Sequence, residues 1–304
     1  MASSRLRQLH SALLAPYRSK VDVKTLSQRL CSSSSQELVK TDKNGPVFLI
    51  CINRPERRNA VSNETGVELK KAIHAFQDDE DARVAVLYGT DGVFCAGYDL
   101  KELSKGTEIA SGGASLRDQL VPYAPMGPSK MMFTKPVIAA INGYAVAGGM
   151  ELAMMCDMRV ADESTTFGIF CRRFGVPLVD GGTVRLPALI GLSRAMDLIL
   201  TGRPITAVEA EKYGLVNRIV PDGRALEYAI ELAKQISEFP QECMLADRRS
   251  AYHSTYSSPS LDEALQYEHE NGKSVIFSES VFGAKRFAAD KVGKSGSFEE
   301  FKPK

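Results

Sequence analysis

KPVIAAINGYAVAGGMELAMMCD, residues 135–157, decides how this chain is to be read. Its first third, PVIAAING, is a short apolar run closed by Asn-Gly, the pattern of a strand buried on both faces. Two adjacent glycines, Gly148 and Gly149, then open a short helix, and a lone carboxylate, Glu151, follows among alanines, methionines and a leucine. A charge so placed is either a working acid or base or a complement to the helix dipole.

The same alternation extends outward. PVFLICINR (46–54) and VAVLYGT (84–90) are β-branched apolar runs that end in turn signals and predict strands. Between them Ser62 predicts the cap of a helix over about 64–77, with Leu69, Ile73 and Phe76 on one face. MRVADESTTFGI, from residue 158, predicts a further strand and turn. From about residue 193 the pattern turns helical, broken at Pro204, Pro221, Pro240 and Pro259. Strands alternating with helices, then a helical tail, give an α/β core over residues 36–200 and a helical C-terminal region over 201–304. Residues 104–130 are rich in Ser, Gly and Pro and carry no clear period.

The 304 residues carry a formal charge of +1 and are 44% hydrophobic, enough for a large core and no reason to expect nucleic acid as a partner. No apolar run reaches the roughly 18 to 20 residues that span a bilayer. The six cysteines are scattered, without zinc or disulfide spacing, and none of the four histidines stands in a ligand or triad pattern, so no metal is expected. Residues 1–35 differ: six Arg or Lys, nine Ser and a single acid, Asp22. That composition predicts a mitochondrial transit peptide and a matrix location, or else a basic tail without an address.

FCAGYDL (94–100) and AGGMEL (147–152) share one design. Each follows a buried strand, and each puts glycine where backbone must approach a ligand. In the second, the glycines also begin a helix, whose first N–H groups carry partial positive charge. Two converging amides make an oxyanion hole, worth roughly 3 to 4 kcal/mol of transition-state stabilisation per donor.

With INRPERRNAV, FCAGYDL, KPVIAAINGYAVAGGMELAMMCD, GGTVRLP and GRPITAVEAEKYGLVNRIV in place, the chain from about 38 to 290 resembles the crotonase (enoyl-CoA hydratase/isomerase) superfamily. The resemblance implies a spiral of ββα units with a helical trimerisation subdomain, assembled as a trimer or a dimer of trimers (hexamer). It implies an acyl-CoA thioester substrate, as in fatty-acid metabolism, with coenzyme A part of the substrate and no further cofactor. On the motif's positions the oxyanion amides fall on Tyr98 and Gly148. The CoA portion would run along Arg57, Arg58 and Ala60, and along Ala96, Gly97, Asp99 and Leu100; the two arginines equally suit a solvated turn. Tyr144, after Asn-Gly, lines the acyl pocket or packs as an ordinary aromatic.

In the hydratase members two glutamates share one water. The first matches Glu151; an apolar setting would raise its pKa toward neutrality, where it can accept and donate protons. The second should follow Phe-Gly, but this chain reads FGIFC and puts Cys171 there. Cys171 is either packed or, beside Arg172 and Arg173, a lowered-pKa thiol. Asp180, before a glycine pair, is a candidate replacement carboxylate or a turn former. Three functions remain open: enoyl-CoA hydration; isomerisation, hydrolysis or decarboxylation of an acyl-CoA on the same fold; and CoA binding without catalysis.

Overall fold

The structure is a computed structural model that describes residues 37–105 and 124–290. The expected transit peptide, and most of the segment 104–130, lie outside the described residues. Among the described residues, nine strands form two sheets. They are β1 (Val39–Asn44), β2 (Val47–Ile52), β3 (Val84–Gly89), β4 (Val137–Ile141), β5 (Tyr144–Val146), β6 (Met158–Asp162), β7 (Thr166–Gly168), β8 (Pro204–Thr206) and β9 (Arg218–Val220). The helices are α1 (Asn63–Asp78), α2 (Leu100–Leu103), α3 (Gly148–Met155), α4 (Gly182–Ile190), α5 (Leu192–Thr201), α6 (Ala207–Tyr213), α7 (Ala225–Glu238), α8 (Gln241–Tyr256), α9 (Leu261–Lys273) and α10 (Val281–Asp290).

The larger sheet runs β1-β2-β3-β4-β6-β9; the smaller runs β5-β7-β8. β1 and β2 form an antiparallel hairpin, and every later pairing in the larger sheet is parallel. Parallel neighbours need a crossover, and here each crossover visits the small sheet or a helix before returning. Thus β4 is followed by β5 and α3, and β6 by β7 and then α4, which is the spiral of ββα units expected from the resemblance. β2, β3 and β4 are buried throughout because helices cover them. α1 packs on β1 and β2, and α7 lies across β2, β3, β4, β6 and β9. Ser62 caps α1 as expected, its Oγ accepting from the Thr65 N–H at 3.2 Å, and Leu69, Ile73 and Phe76 are buried.

Two features depart from the sequence reading, which leaves residues 39–44 without an element. Residues 39–44 form the edge strand β1; their alternating burial is hidden in a polar sequence. The helical region does not begin at 201: β8 joins the small sheet, and β9 is the sixth strand of the large one. Each is only three residues long, too short to register as a period. The α/β core therefore runs through α7, whose Ala225, Ala229, Ile230 and Ala233 are buried, and the purely helical part starts at α8, after Pro240. Among the described residues no helix is long and apolar enough to cross a membrane, and all five cysteines are free.

Candidate active site

The two glycine loops are joined by backbone. Cys95 donates its N–H to the Tyr144 carbonyl at 2.9 Å and accepts from the Val146 N–H at 3.1 Å, a parallel bridge between them. On the other side, Val61 donates to the Gly97 carbonyl at 2.8 Å and accepts from the Asp99 N–H at 2.9 Å. Tyr98 lies between these two bonds. In extended chain successive N–H groups face opposite ways, so the Tyr98 amide faces away from Val61. Its side chain is tied elsewhere, the hydroxyl donating to Asn63 Oδ1 at 2.9 Å. Gly97 has φ +99°, and a Cβ there would lie 2.9 Å from the Ala147 Cβ and 3.0 Å from the Gly148 nitrogen. Only glycine lets this backbone lie against the start of α3.

Ala147 enters α3 with φ 52° and ψ −127°, a conformation that favours glycine. Such strain costs about 1 to 3 kcal/mol and persists only where the surroundings enforce it. Here the Ala147 N–H is fixed to the Gly168 carbonyl at 2.8 Å. Gly149 needs its missing side chain because a Cβ would overlap the Cys95 carbonyl. The Gly148 N–H belongs to the first turn, where amides have no intrahelical acceptor. The loops thus bring the Tyr98 and Gly148 segments into contact, with the Met126 thioether packed on Gly148.

Glu151 follows within the first turn of α3 and is 3% exposed. Its Oε1 accepts from the Asp180 N–H at 3.0 Å and the Gly182 N–H at 2.8 Å. A Cβ on Gly182 would stand 2.8 Å from the same oxygen, so glycine is required for this approach. Burial pushes the Glu151 carboxyl up to about 7; the charge of Asp180 adds to the rise, while the two amides and Arg185 oppose it. Asp180 is also 3% exposed, and its Oδ1 accepts from the Met126 N–H at 3.1 Å and from the Ser129 hydroxyl. Burial raises its pKa, opposed first by the Ser129 hydrogen bond.

Both carboxyls line one cavity of about 360 Å³, with Ala96, Tyr98, Leu100, Leu103, Pro125, Ala147, Gly148, Phe170, Cys171, Phe174, Val176, Pro177 and Val179 among its walls. Cys171 is buried, and burial followed by the Glu151 charge raises its thiol. The arginines beside it do not make it a thiolate: Arg172 donates to the Ile199 carbonyl at 3.1 Å, and Arg173 lies over the Phe170 ring at 4.1 Å. Cys171 is a neutral wall residue.

The other expected residues divide. Ala96 and Leu100 reach the cavity and Gly97 makes the contact between the loops. Arg57 and Arg58 are exposed on and after a single 3-10 turn at Pro55–Arg57, outside the cavity lining. The Ala60 carbonyl accepts from Arg54. The Asp99 carboxylate pairs with Arg54 at 3.1 Å and accepts the Lys101 N–H at 3.1 Å, which braces the loop. Tyr144 begins β5, 45% exposed and outside the cavity lining of the described residues.

Four residues without an assigned role in the sequence matter here: Arg54, Asn59, Ser129 and Arg185. Fully buried Asn59 donates to the Thr90 and Val93 carbonyls and accepts from the Arg54 N–H, fixing the turn into the first glycine loop. Asn59 and Arg54 stood inside INRPERRNAV, and Arg185 inside GGTVRLP; Ser129 carried no local signal.

The chain is similar to known proteins over most of its length. Residues 42–291 match the family described as enoyl-CoA hydratase/isomerase. A protein of Dictyostelium discoideum named probable enoyl-CoA hydratase, mitochondrial, is 39% identical over 75% of this chain and 79% of its own length. The enoyl-CoA hydratase EchA19 of Mycobacterium tuberculosis is 37% identical over 82% of this chain and 92% of its own. Among solved structures, an enoyl-CoA hydratase of M. tuberculosis superposes with a TM-score of 0.74 at 34% identity, covering 83% of this chain and 95% of that one. One from Bacillus anthracis gives 0.74 at 32%, covering 84% and 97%. The chain belongs to the enoyl-CoA hydratase/isomerase family and has the crotonase fold.

Proposed function

We propose that the protein adds water across the double bond of a 2-enoyl-CoA thioester, with Glu151 carrying both proton transfers. The observation that carries this is a buried carboxyl, raised to about 7 and gripped through one oxygen, lining the cavity at the start of α3. The thioester oxygen sits against the Tyr98 and Gly148 amides. Water attacks C3 as Glu151 takes its proton; the double-bond electrons move to the thioester oxygen, which the two amides stabilise as an enolate. Glu151 then returns the proton to C2, and the carboxylate is regenerated. This cycle balances with one carboxyl and needs no second glutamate at Cys171 and no further cofactor. Burial raises the Asp180 pKa and the Ser129 and Met126 hydrogen bonds oppose that rise; Asp180 acts on Glu151 through its charge and its N–H.

The cavity walls, chiefly Leu100, Leu103, Phe170, Phe174, Val176 and Val179, suit an apolar acyl chain. Incubating the purified protein with 2-enoyl-CoA thioesters of graded length tests the reading: disappearance of the conjugated double bond with formation of 3-hydroxyacyl-CoA supports it, and an inert wild type overturns it. Cys171, standing where hydratases carry the second glutamate, favours one rival. In isomerisation Glu151 alone would take a proton from C2 of a 3-enoyl-CoA and return it at C4. Conversion of 3-enoyl to 2-enoyl thioester without hydration would select it.

Two further proposals accompany this. Residues 1–35 direct the protein to the mitochondrial matrix, a reading supported by their composition and by the name of the Dictyostelium relative. Import of a fluorescent fusion that is lost on deleting them is the test. The protein assembles as a trimer or a dimer of trimers, because the C-terminal helices leave Leu261, Phe277 and Phe282 exposed, Phe277 by 81%. Sedimentation at micromolar concentration distinguishes this from a monomer.

A further inference from the structure

We propose that Arg185 is the positioning residue for Glu151: its guanidinium locks the turn whose amides grip the carboxylate to the segment 126–129. Nη1 donates to the Asp180 carbonyl at 3.0 Å and Nη2 to the Ser129 carbonyl at 2.7 Å. These carbonyls belong to segments 51 residues apart in sequence, and the rigid fork of an arginine holds both at a fixed separation as a lysine cannot. The seat is built for it. Gly181, between the two residues that donate to Glu151, has φ +97°, and a Cβ there would overlap Nη1.

The same two segments are bonded a second time, through the Asp180 carboxylate, which accepts from the Met126 N–H and the Ser129 hydroxyl. Met126 in turn packs on Gly148. Arg185 itself does not line the cavity; its effect reaches the chemistry through the turn 180–182. The charged groups that act on Glu151 are Asp180, which raises its pKa, and Arg185, which lowers it. Lys130 and Arg185 act on Asp180 in the same lowering sense. The Cys171 thiol, which shares the cavity, is neutral. Loosening the turn and removing the cation therefore push Glu151 in one direction, upward.

The inference rests on Glu151 as the proton-transfer group, but its test does not need turnover. Difference infrared titration of full-length protein, with Glu151→Gln as blank, reads the carboxyl midpoint directly. Arg185→Met is expected to raise that midpoint by about one pH unit, through the lost cation and amide geometry. With a 2-enoyl-CoA, kcat should fall about tenfold or more while KM moves little, as expected when only transition-state interactions are lost. Arg185→Lys, which keeps the charge and one donor site, should recover part of both. Arg185→Met that folds with an unchanged midpoint, or that loses kcat only in proportion to its folded fraction, overturns the proposal. If Arg185→Met does not fold, Arg185→Lys decides: a smaller upward shift supports the role and a wild-type midpoint overturns it. An inert wild type would sink the hydratase reading while leaving the infrared result decisive for Arg185.

Discussion

Glu151 receives a hydrogen bond from the backbone N–H of Asp180 at 3.0 Å, while the carboxylate of that same Asp180 opposes its ionisation. One residue both anchors the Glu151 carboxyl and adds to the rise in pKa that burial gives it. Two consequences follow for Glu151→Gln. Activity falls by roughly 10²- to 10⁴-fold, the usual worth of a positioned acid-base group. Stability changes the other way. The folded pKa of about 7 lies above the ordinary value of 4.5, so this group's contribution is fully present below about 4.5 and is lost as pH rises through 7. Above pH 7 the buried charge costs about 3 kcal/mol at most. Melting curves from pH 4 to 8 should show Glu151→Gln more stable than wild type at pH 8, the gap closing toward pH 4.

Asp180→Asn separates the charge of Asp180 from its backbone. The N–H to Glu151 stays, and the amide oxygen can still accept from Ser129 and Met126, but the repelling charge is gone. The Glu151 pKa therefore falls, and the ascending limb of kcat/KM against pH moves to lower pH, opposite to the shift expected for Arg185→Met. If Asp180 were instead the donor to C2, Asp180→Asn would abolish turnover at every pH, so a full pH profile tells the two roles apart.

Cys171 sits at the position where the hydratase motif carries glutamate, yet it is a buried thiol whose pKa is raised by desolvation and by Glu151. Its reactivity should be correspondingly low. Iodoacetamide at pH 7 should modify it far more slowly than a free exposed thiol, and Cys171→Ser should hydrate a 2-enoyl-CoA at close to the wild-type kcat. Rapid alkylation with loss of activity, prevented by substrate, would show a reactive thiolate instead.

The glycine loops and the strands beneath them were legible because their signals are local. Gly97, Gly148 and Gly149 each answer a close backbone approach, and VFLICI and VIAAI are buried on both faces. Glu151 was legible from its place on α3. What escaped was set by partners far along the chain. Ser129 meets Asp180 51 residues away, and Arg54 meets Asp99 45 residues away, so no spacing rule shows either pair. Asp99 was assigned to the ligand by its place in the family motif; the Arg54 guanidinium, hidden in the preceding motif, pairs with its carboxylate. β8 and β9 escaped for the opposite reason: three residues cannot display a period, and only pairing with β7 and β6 makes them strands.

Asp99→Ala tests the brace directly. The pair is largely buried, with side-chain exposures of 12% for Arg54 and 10% for Asp99. Removing one partner strands the other's charge, a loss of about 3 kcal/mol, and frees the Lys101 N–H that Asp99 caps. Thermal or urea unfolding should show that loss. If the carboxylate instead contacted CoA, Asp99→Ala would raise the substrate KM while leaving the melting temperature alone.

Gly97→Ala places a methyl where the two loops meet. The added Cβ would stand 2.9 Å from the Ala147 Cβ and 3.0 Å from the Gly148 nitrogen, and φ +99° is itself costly for alanine. The neighbouring atoms are backbone or a short methyl, so the strain cannot be relieved by a rotamer change and the loops must separate. The Tyr98 and Gly148 amides, which the proposed hydration needs on one oxygen, then move apart. Loss of one such donor costs roughly 10² to 10³ in kcat, and the loss should appear in kcat more than in KM because the hole acts on the enolate. A transition-state-like ligand, such as a CoA thioester with an enolised or anionic carbonyl oxygen, should lose affinity in Gly97→Ala far more than free CoA does. Equal weakening of both would mean that Gly97 serves only to let CoA pass.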